Sequence, residues 1–245
     1  MKATYLVLFI ALFLLQLIFI PCFLKAEIPN PCKKSLFYKQ VCSTIFLITA
    51  VAAMIISKNF SLFAKLMLVG FCFSWLGDFL LHVKRDKLFF VFGLTAFLIG
   101  HLFFTSAYSV AISKMFPGTP FMGLVQMLVF IIVTCLMLFS VLKLGANFKG
   151  AFLPCLFYID VVTLMVIKAV SFGIQIVSDG SANTTAHTMV ALSFGALMFL
   201  ASDYTLSLLK FIKGIEQHGK LRKFNIYTYF FAQMFLATSI LFIRG

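Results

Sequence analysis

Residues 60–83 read FSLFAKLMLVGFCFSWLGDFLLHV, an apolar run that contains one acidic residue, Asp78. A helix of about 20 apolar residues crosses a bilayer core, so this segment predicts a membrane span. An ionisable side chain at membrane depth is costly and therefore marks a candidate functional site. The stretch around Asp78 thus predicts both a fold class and a first site residue.

The rest of the chain has the same character. Hydrophobic residues make up 62% of its 245 residues and charged residues 11%, whereas soluble domains average about 45–50% and about 25%. Composition therefore excludes a water-soluble fold. We predict an all-α membrane protein, in which residues 1–245 form a single transmembrane domain with eight transmembrane helices. Their approximate bounds are 3–24, 38–57, 60–83, 88–112, 120–142, 151–177, 185–209 and 226–243.

The basic residues predict the orientation of these spans. Most of the 20 lysine and arginine residues fall in the first, third, fifth and seventh connections. The positive-inside rule places those connections in the cytoplasm and both termini outside or in a lumen. The net charge of +13 is thus explained by topology and by anionic headgroups. Because no nucleic-acid-binding motif accompanies it, we expect no nucleic-acid partner.

Three of the seven acidic residues lie inside predicted spans: Asp78, Asp160 and Asp203. Asp78 and Asp203 have matching contexts, since Gly70 and Gly195 each precede an aspartate by eight residues. This match predicts two parallel four-helix units, spans 1–4 and 5–8. At 1.5 Å per residue both carboxylates lie about 8–10 Å inside the cytoplasmic boundary. We therefore expect them in one pocket.

Other polar side chains reach similar depths. Tyr229 and Gln233 on the last span lie near the two carboxylates, and His101 lies roughly 20 Å deep by helical rise. The sequence has neither a G-x-S-x-G elbow nor an H-E-x-x-H zinc helix, and its four histidines are scattered. A metal site is therefore not expected, and a carboxylate pair remains as the acid–base candidate.

Plainer structural roles remain open for each of these residues. An aspartate can pair with an intramembrane lysine, Lys65 or Lys168, simply to hold the bundle together. His101 can be a hydrogen-bonded interior histidine, and Tyr108 and Tyr158 can be packing residues with a tethered hydroxyl. Two aspartates in matching contexts weaken this structural interpretation for the carboxylates.

Several segments resemble the YhhN-type lysoplasmalogenases. In the first half they are Lys65, FSWLGDFLL at 73–81, and FGLTAFLIGH at 92–101, followed by Tyr108. In the second half they are Pro154 with Tyr158, Leu164-Met165, Lys168-Ala169, GALMFLASD at 195–203, and Tyr229 to Gln233. The resemblance covers about residues 60–235. Departures from the family pattern are Leu66 where proline is common, Asp160 where an apolar residue is expected, and Lys168 where arginine is usual.

The resemblance implies a multi-pass hydrolase, in animals of the endoplasmic reticulum membrane. Such an enzyme cleaves the vinyl ether of lysoplasmenylethanolamine or lysoplasmenylcholine to a fatty aldehyde and glycerophosphoethanolamine or glycerophosphocholine. Its partners would be the lysophospholipid substrate and membrane lipids, and it would need no metal or cofactor. Carried over to this chain, the catalytic residues are Asp78 and Asp203, and the substrate-binding residues are Lys65, His101, Tyr108, Tyr158, Tyr229 and Gln233.

The chemistry agrees with a carboxylate pair. Vinyl ether hydrolysis needs a proton donor for the β-carbon and a carboxylate that activates water. Two aspartates close together in an apolar pocket favour one protonated and one ionised group, because they repel each other when both are ionised.

Two other functions fit the same residues. One is a small membrane transporter or lipid-binding scaffold without catalysis, since intramembrane acids and repeated helix units are common in transporters. The other is a hydrolase or lyase acting on another lysolipid. Asp160, about 14 Å deep by helical rise, is expected to be a hydrogen-bonded structural residue in a helix interface.

Overall fold

The computed structural model describes residues 3–28, 32–83, 86–148, 150–179, 185–215 and 218–243. Every regular element in these ranges is a helix, so the all-α prediction is confirmed. The helices are α1 (Ala3–Glu27), α2 (Lys33–Ser57), α3 (Leu62–Val83), α4 (Lys87–Met115), α5 (Leu124–Lys143), α6 (Phe152–Ser178), α7 (Thr185–Met189), α8 (Gly195–Phe211) and α9 (Gly219–Ser239). A π-helical turn, Val190–Phe194, joins α7 to α8.

Seven segments of the described chain are long and apolar enough to cross a membrane. Six of them belong to α1 through α6, and the seventh, His187–Phe211, runs from α7 through the π turn to the end of α8. The chain is therefore a multi-pass membrane protein. The helix α9 has 21 residues, but its polar side chains keep it outside this set. It replaces the predicted span 226–243, beginning earlier and ending at Ser239.

The connections divide the bundle into two ends. At one end α1, α3, α5 and α8 finish while α2, α4, α6 and α9 begin. Because most basic residues of the sequence lie in these connections, we call this the basic end. At the opposite end the Asn59 side chain donates a hydrogen bond to the Ile240 carbonyl at 2.9 Å. That contact ties the α2–α3 connection to the end of α9.

Glycines allow α3 and α4 to pack closely. A Cβ atom at Gly70 would lie 2.4 Å from Phe104 Cε1 and 3.1 Å from the Gly100 carbonyl oxygen. A Cβ at Gly77 would lie 2.6 Å from the Phe97 ring. Small residues are a common device for bringing membrane helices together, since apolar burial gives little drive for association in lipid. This contact fixes the position of Asp78, which follows Gly77 on α3.

The helix α5 is the least buried of the candidate spans. Only 6% of its apolar window is buried inside the protein, against 28–44% for the other six. It packs mainly on α6, with a smaller contact to α8. Most of the surface of α5 therefore faces the lipid.

Candidate active site

A cavity of about 250 Å³ lies within the bundle at its basic end. Seven helices contribute to its lining: α1, α2, α3, α4, α6, α8 and α9. The polar side chains on its wall are Glu27, Lys39, Asp78, His82, Asp86, Tyr158, Ser202, Asp203, Lys210, Arg222, Asn225 and Tyr229. Both aspartates that the sequence paired thus face one cavity.

Asp78 is 1% exposed and accepts hydrogen bonds on both carboxylate oxygens. Its Oδ2 accepts from the Ser43 hydroxyl at 2.5 Å and from the Tyr229 hydroxyl at 2.7 Å. Its Oδ1 lies 3.0 Å from the Lys39 ammonium. The Gln233 amide in turn donates to the Tyr229 oxygen at 3.2 Å. Three donors, one of them charged, suit an ionised carboxylate.

Asp203 has a different environment. Its Oδ2 accepts a hydrogen bond from the Tyr158 hydroxyl at 2.7 Å, and the His101 Nε2 lies 3.7 Å away. The same His101 nitrogen is 3.3 Å from the Tyr158 oxygen. Because Tyr158 gives its only proton to Asp203, a hydrogen bond between His101 and Tyr158 must be donated by Nε2–H. The Asp203 Oδ1 has no hydrogen-bond partner among the described residues.

The two carboxylates draw their partners from corresponding helices. Asp78 is held from α2, the span before its own, and from α9. Asp203 is held from α6, the span before its own, and from α4. If spans 1–4 and 5–8 are two units, α2 in the first unit corresponds to α6 in the second, and α4 corresponds to α9. The partner helices of Asp78 then correspond to the partner helices of Asp203. The packing of α2 on α9 and of α4 on α6 follows the same exchange.

Aromatic rings pack against His101 and Tyr229, which lie next to Asp203 and Asp78 respectively. The Phe199 ring lies edge-on to His101 with centroids 4.6 Å apart, and edge-on to Tyr229 at 5.5 Å. The Phe97 ring lies 5.9 Å from that of Tyr229. His101 is 1% exposed and its Nδ1 has no hydrogen-bond partner among the described residues. The deep wall of the site is therefore apolar apart from the groups that touch the carboxylates.

A chain of polar contacts runs from Asp78 toward the basic end. Lys39 Nζ lies 3.4 Å from His82 Nδ1, and His82 Nε2 lies 2.9 Å from Glu27 Oε2. Lysine can only donate, so His82 Nδ1 is the acceptor and Nε2–H donates to Glu27. The ammonium that faces Asp78 is thus fixed from its other side by a histidine.

Two further cations line the cavity near its mouth. Arg222 begins α9 and lies 3.5 Å from the Glu27 carbonyl oxygen through its Nη1. Lys210 lies near the end of α8 with its ammonium 4.5 Å from the centre of the Phe90 ring. Together with Lys39 they supply three cations to a cavity that Glu27 and Asp86 also line, and an ammonium or a guanidinium can bind a phosphate.

The structure brings together six of the eight residues that the sequence proposed for the site. They are Asp78, Asp203, His101, Tyr158, Tyr229 and Gln233. Lys65 is exposed near the start of α3, roughly 20 Å along the helix from Asp78. Tyr108 is fully buried against Phe63, roughly 10 Å beyond His101, and its hydroxyl has no described partner. The structure therefore does not place Lys65 or Tyr108 in this cavity.

The counter-ion of Asp78 is a residue that sequence reasoning missed. Lys39 falls at the start of the predicted span 38–57 and was not proposed for the site, but it lies in the second turn of α2 and points into the bundle, with a side chain 12% exposed. Ser43, one turn later, reaches the same carboxylate. The spacing of four residues on an apolar helix was the available signal. Lys168 pairs with neither aspartate, and its ammonium lies 3.9 Å from the centre of the Phe121 ring.

Asp160 lies on α6 and is half-buried, and it is absent from the cavity lining. The described residues contain no group of three or more His, Cys, Asp or Glu side chains that could hold a metal ion. The groups in direct contact with Asp78 and Asp203 are two phenols, a serine hydroxyl, an imidazole and a lysine.

Comparison with known proteins places these residues in a family. The model of the YhhN family matches residues 35–240, which include both aspartates and Lys39. The chain is also 31% identical to "Lysoplasmalogenase TMEM86A" of Bos taurus over 177 residues. That alignment covers 72% of this chain, and it spans 65% of the length of the relative. No solved structure matches the chain.

Proposed function

The chain belongs to the YhhN family, and on that premise we propose that it is a membrane-embedded lysoplasmalogenase. Its substrate would be a lysoplasmenylethanolamine or lysoplasmenylcholine, and its products a fatty aldehyde and the glycerophospho alcohol. The observation that carries the proposal is the pair Asp78 and Asp203, which face one cavity with unlike hydrogen-bond partners. The name of the bovine relative supports the same reaction.

In this proposal Asp78 is the ionised carboxylate. Its two oxygens accept from two hydroxyls and an ammonium, and such donors stabilise the charged form. An ionised carboxylate in an apolar cavity can stabilise a neighbouring cation and accept a proton from water.

Asp203 is the proposed proton donor. No ammonium lies on it, and both contacts reach Oδ2, so Oδ1 can carry a proton toward the cavity. Tyr158 and His101 are positioning residues, because they orient the acid through Oδ2.

The reaction then balances between the two acids. Asp203 gives its proton to the β-carbon of the vinyl ether, which leaves an oxocarbenium ion beside the Asp78 carboxylate. Water attacks the α-carbon, which is bonded to the ether oxygen and carries the positive charge, and gives one proton to Asp78, forming a hemiacetal. Asp203 takes the proton of the hemiacetal hydroxyl while Asp78 protonates the leaving oxygen. Aldehyde and alcohol separate, and both aspartates return to their starting forms.

The placement of the cavity fits a lysolipid in a bilayer leaflet. Both carboxylates lie about 8–10 Å inside the basic end by helical rise, close to the depth of the vinyl ether below the headgroup. Lys210 and Arg222 lie toward the mouth, where the phosphate would rest. We propose that this end faces the cytoplasm, with both termini in the lumen of the endoplasmic reticulum.

We further propose that α9 is the eighth span. Its length of 21 residues corresponds to about 31 Å, which matches the hydrocarbon core of a bilayer. Beyond its first turn, Asn225 points to α8 and Tyr229 and Gln233 point to the site, whereas the exposed Lys220 and Lys223 lie at the basic end. Eight spans allow two parallel four-helix units, and the corresponding partners of the two aspartates support that repeat.

The test is a product assay with purified protein and lysoplasmenylethanolamine. We expect long-chain aldehyde from the wild-type protein and a loss of about 10²–10⁴-fold in Asp78→Asn and in Asp203→Asn. Asp160→Asn is the matched control, because Asp160 is an intramembrane aspartate outside the cavity lining, and it should keep most activity.

Two results would contradict the proposal. Retention of most activity by either folded site variant would exclude the two-carboxylate mechanism. Release of fatty acid from an ester lysolipid, without aldehyde from the vinyl ether, would indicate a different hydrolase.

A further inference from the structure

A second, smaller cavity of about 50 Å³ adjoins the first. Six residues line both cavities, so the cavities meet at the proposed proton donor: Phe90, Leu94, Tyr158, Asp203, Leu206 and Lys210. Away from this junction the wall of the second cavity is formed mainly by apolar side chains of α5 and α6 and by the end of α8. The wall residues from these elements include Met137, Val141, Cys155, Ile159, Val162 and Phe211.

We propose that this second cavity is the binding site for the single hydrocarbon chain of the substrate, and that the chain reaches it from the bilayer past α5. The identity of the lipid rests on the proposed function, whereas the site itself rests on geometry. A lysolipid has one chain, and the cavity offers one apolar path from the carboxylates.

The position of the cavity fits the chemistry at its junction. In a vinyl ether the carbon that accepts the proton also carries the rest of the chain. When Asp203 protonates this carbon, the hydrocarbon chain bonded to it must therefore begin next to Asp203, where the second cavity starts. The headgroup lies in the larger cavity, with its cations, while the apolar wall receives the chain.

The outer wall of the cavity supports access from the lipid. Met137 and Val141 of α5 line the cavity, while Leu136 and Phe139 on the same helix are 61% and 63% exposed. One face of α5 thus borders the cavity and the other the bilayer. The cavity has room for roughly four water-sized groups, so a long chain must continue past α5 into the surrounding lipid.

The helix α5 is also loosely attached to the rest of the bundle. It is the least buried of the candidate spans, and its main packing partner is α6. Gly118 lies before α5 and Gly145 after it, both with positive φ angles of 88° and 79°. Glycines in that conformation permit tight turns, which set α5 off from α4 and α6 at both ends.

Binding can be tested without catalysis. The probe is a saturated alkyl-ether lysophosphoethanolamine that carries a diazirine in mid-chain, which has no vinyl ether to cleave. We expect photolabelling of α5 and α6 at Met137 and Ile159, and excess unlabelled lysolipid should abolish it. Labelling confined to lipid-facing residues such as Leu136 and Phe139, unaffected by competitor, would overturn the proposal.

A matched pair of variants tests the same site by activity. Met137→Trp fills the cavity from α5, whereas Leu136→Trp places the same side chain on the lipid face one residue away. We expect Met137→Trp to lower kcat/KM for a long-chain lysoplasmalogen at least tenfold relative to a four-carbon analogue, with Leu136→Trp unchanged. Equal behaviour of the two variants would overturn the chain site. Turnover of the short analogue shows that the variant is folded.

The two proposals fail in different ways. If the wild-type protein releases no aldehyde but shows competable labelling at Met137, the chain site stands and the reaction is wrong. If it releases aldehyde and labelling is not competable, the reaction stands and the chain site is wrong.

Discussion

Lys39 illustrates how one side chain distinguishes two otherwise similar carboxylates. Its ammonium lies 3.0 Å from Asp78 and is held from behind by His82 at 3.4 Å. Asp203 has a phenol and an imidazole in the corresponding places. Because the charges differ, the two aspartates can begin the reaction in different protonation states, although their helices correspond.

Replacing Lys39 by methionine should therefore remove the counter-ion of Asp78. Breaking one partner of a buried pair leaves the other charge uncompensated, so we expect at least a tenfold lower kcat, partly restored by Lys39→Arg. Lys65→Met is the matched control and should leave aldehyde release unchanged, because Lys65 is exposed at the other end of α3. A stronger effect from Lys65→Met than from Lys39→Met would contradict this assignment.

The tyrosines permit a similar comparison. Tyr158→Phe removes the donor to Asp203, and a hydrogen bond to the carboxylate that forms when Asp203 gives up its proton is worth about 1.5–3 kcal/mol. We expect a loss of about 10- to 100-fold in aldehyde release. Tyr108→Phe deletes a buried hydroxyl without a described partner and should have little effect. The measurement is aldehyde release by equal amounts of the two folded variants. An equal loss in both would exclude the positioning role of Tyr158.

These residues also mark how far sequence reasoning reached. Intramembrane acids and their depth were readable, because charge in an apolar run is conspicuous, and Tyr158, Tyr229 and Gln233 followed from the family motifs. Lys39 was missed because a lysine near a helix end looks like a topological signal. Only the rotation of α2 turns it inward, and rotation depends on packing that apolar runs leave undetermined.

At the scale of elements, the α3–α4 pair carries Asp78 and His101 on one closely packed unit. The glycines at this contact let the two backbones approach. The distance between the two helices thus depends on the glycines at the contact, and a side chain at Gly70 or Gly77 would push against a ring on α4.

Gly70→Ala should destabilise the protein, since its Cβ would lie 2.4 Å from the Phe104 ring and 3.1 Å from a backbone oxygen. Overpacking of this kind costs about 1–3 kcal/mol. A lowered Tm in detergent, compared with the wild-type protein, is the measurement. Gly123→Ala is the control, because nothing lies within 4 Å of its added Cβ and its φ is −80°. Equal Tm values for the two variants would contradict the packing argument.

Two elements show why helix assignment from the sequence was incomplete. The helix α9 begins at Gly219, earlier than predicted, because its first turns are polar and pack on α8 through Asn225. The π turn at Val190–Phe194 has an ordinary apolar composition. It ends next to Gly195, where an added Cβ would lie 3.0 Å from Phe235 Cβ, a close approach that the local sequence does not reveal.

At the scale of the whole molecule, the basic end determines which compartment supplies substrate headgroup and water. Lys213 is exposed at that end and Lys114 is exposed at the other, so each can be replaced by cysteine as a label site, in Lys213→Cys and Lys114→Cys. In a background without Cys32, Cys72 and Cys135, a membrane-impermeant maleimide added to the cytoplasmic side should label the first and spare the second. The reverse pattern would place the cavity mouth in the lumen.

The exchange of partners between the two halves has a consequence for synthesis. Asp78 is translated early, yet its Tyr229 donor lies 151 residues later, on α9. Asp203, in turn, depends on His101 from the first half. In the proposed enzyme a nascent chain therefore holds both catalytic aspartates before the active site can form, and insertion of α9 completes that site. Such an enzyme would remain inactive toward membrane lipids until these helices have assembled.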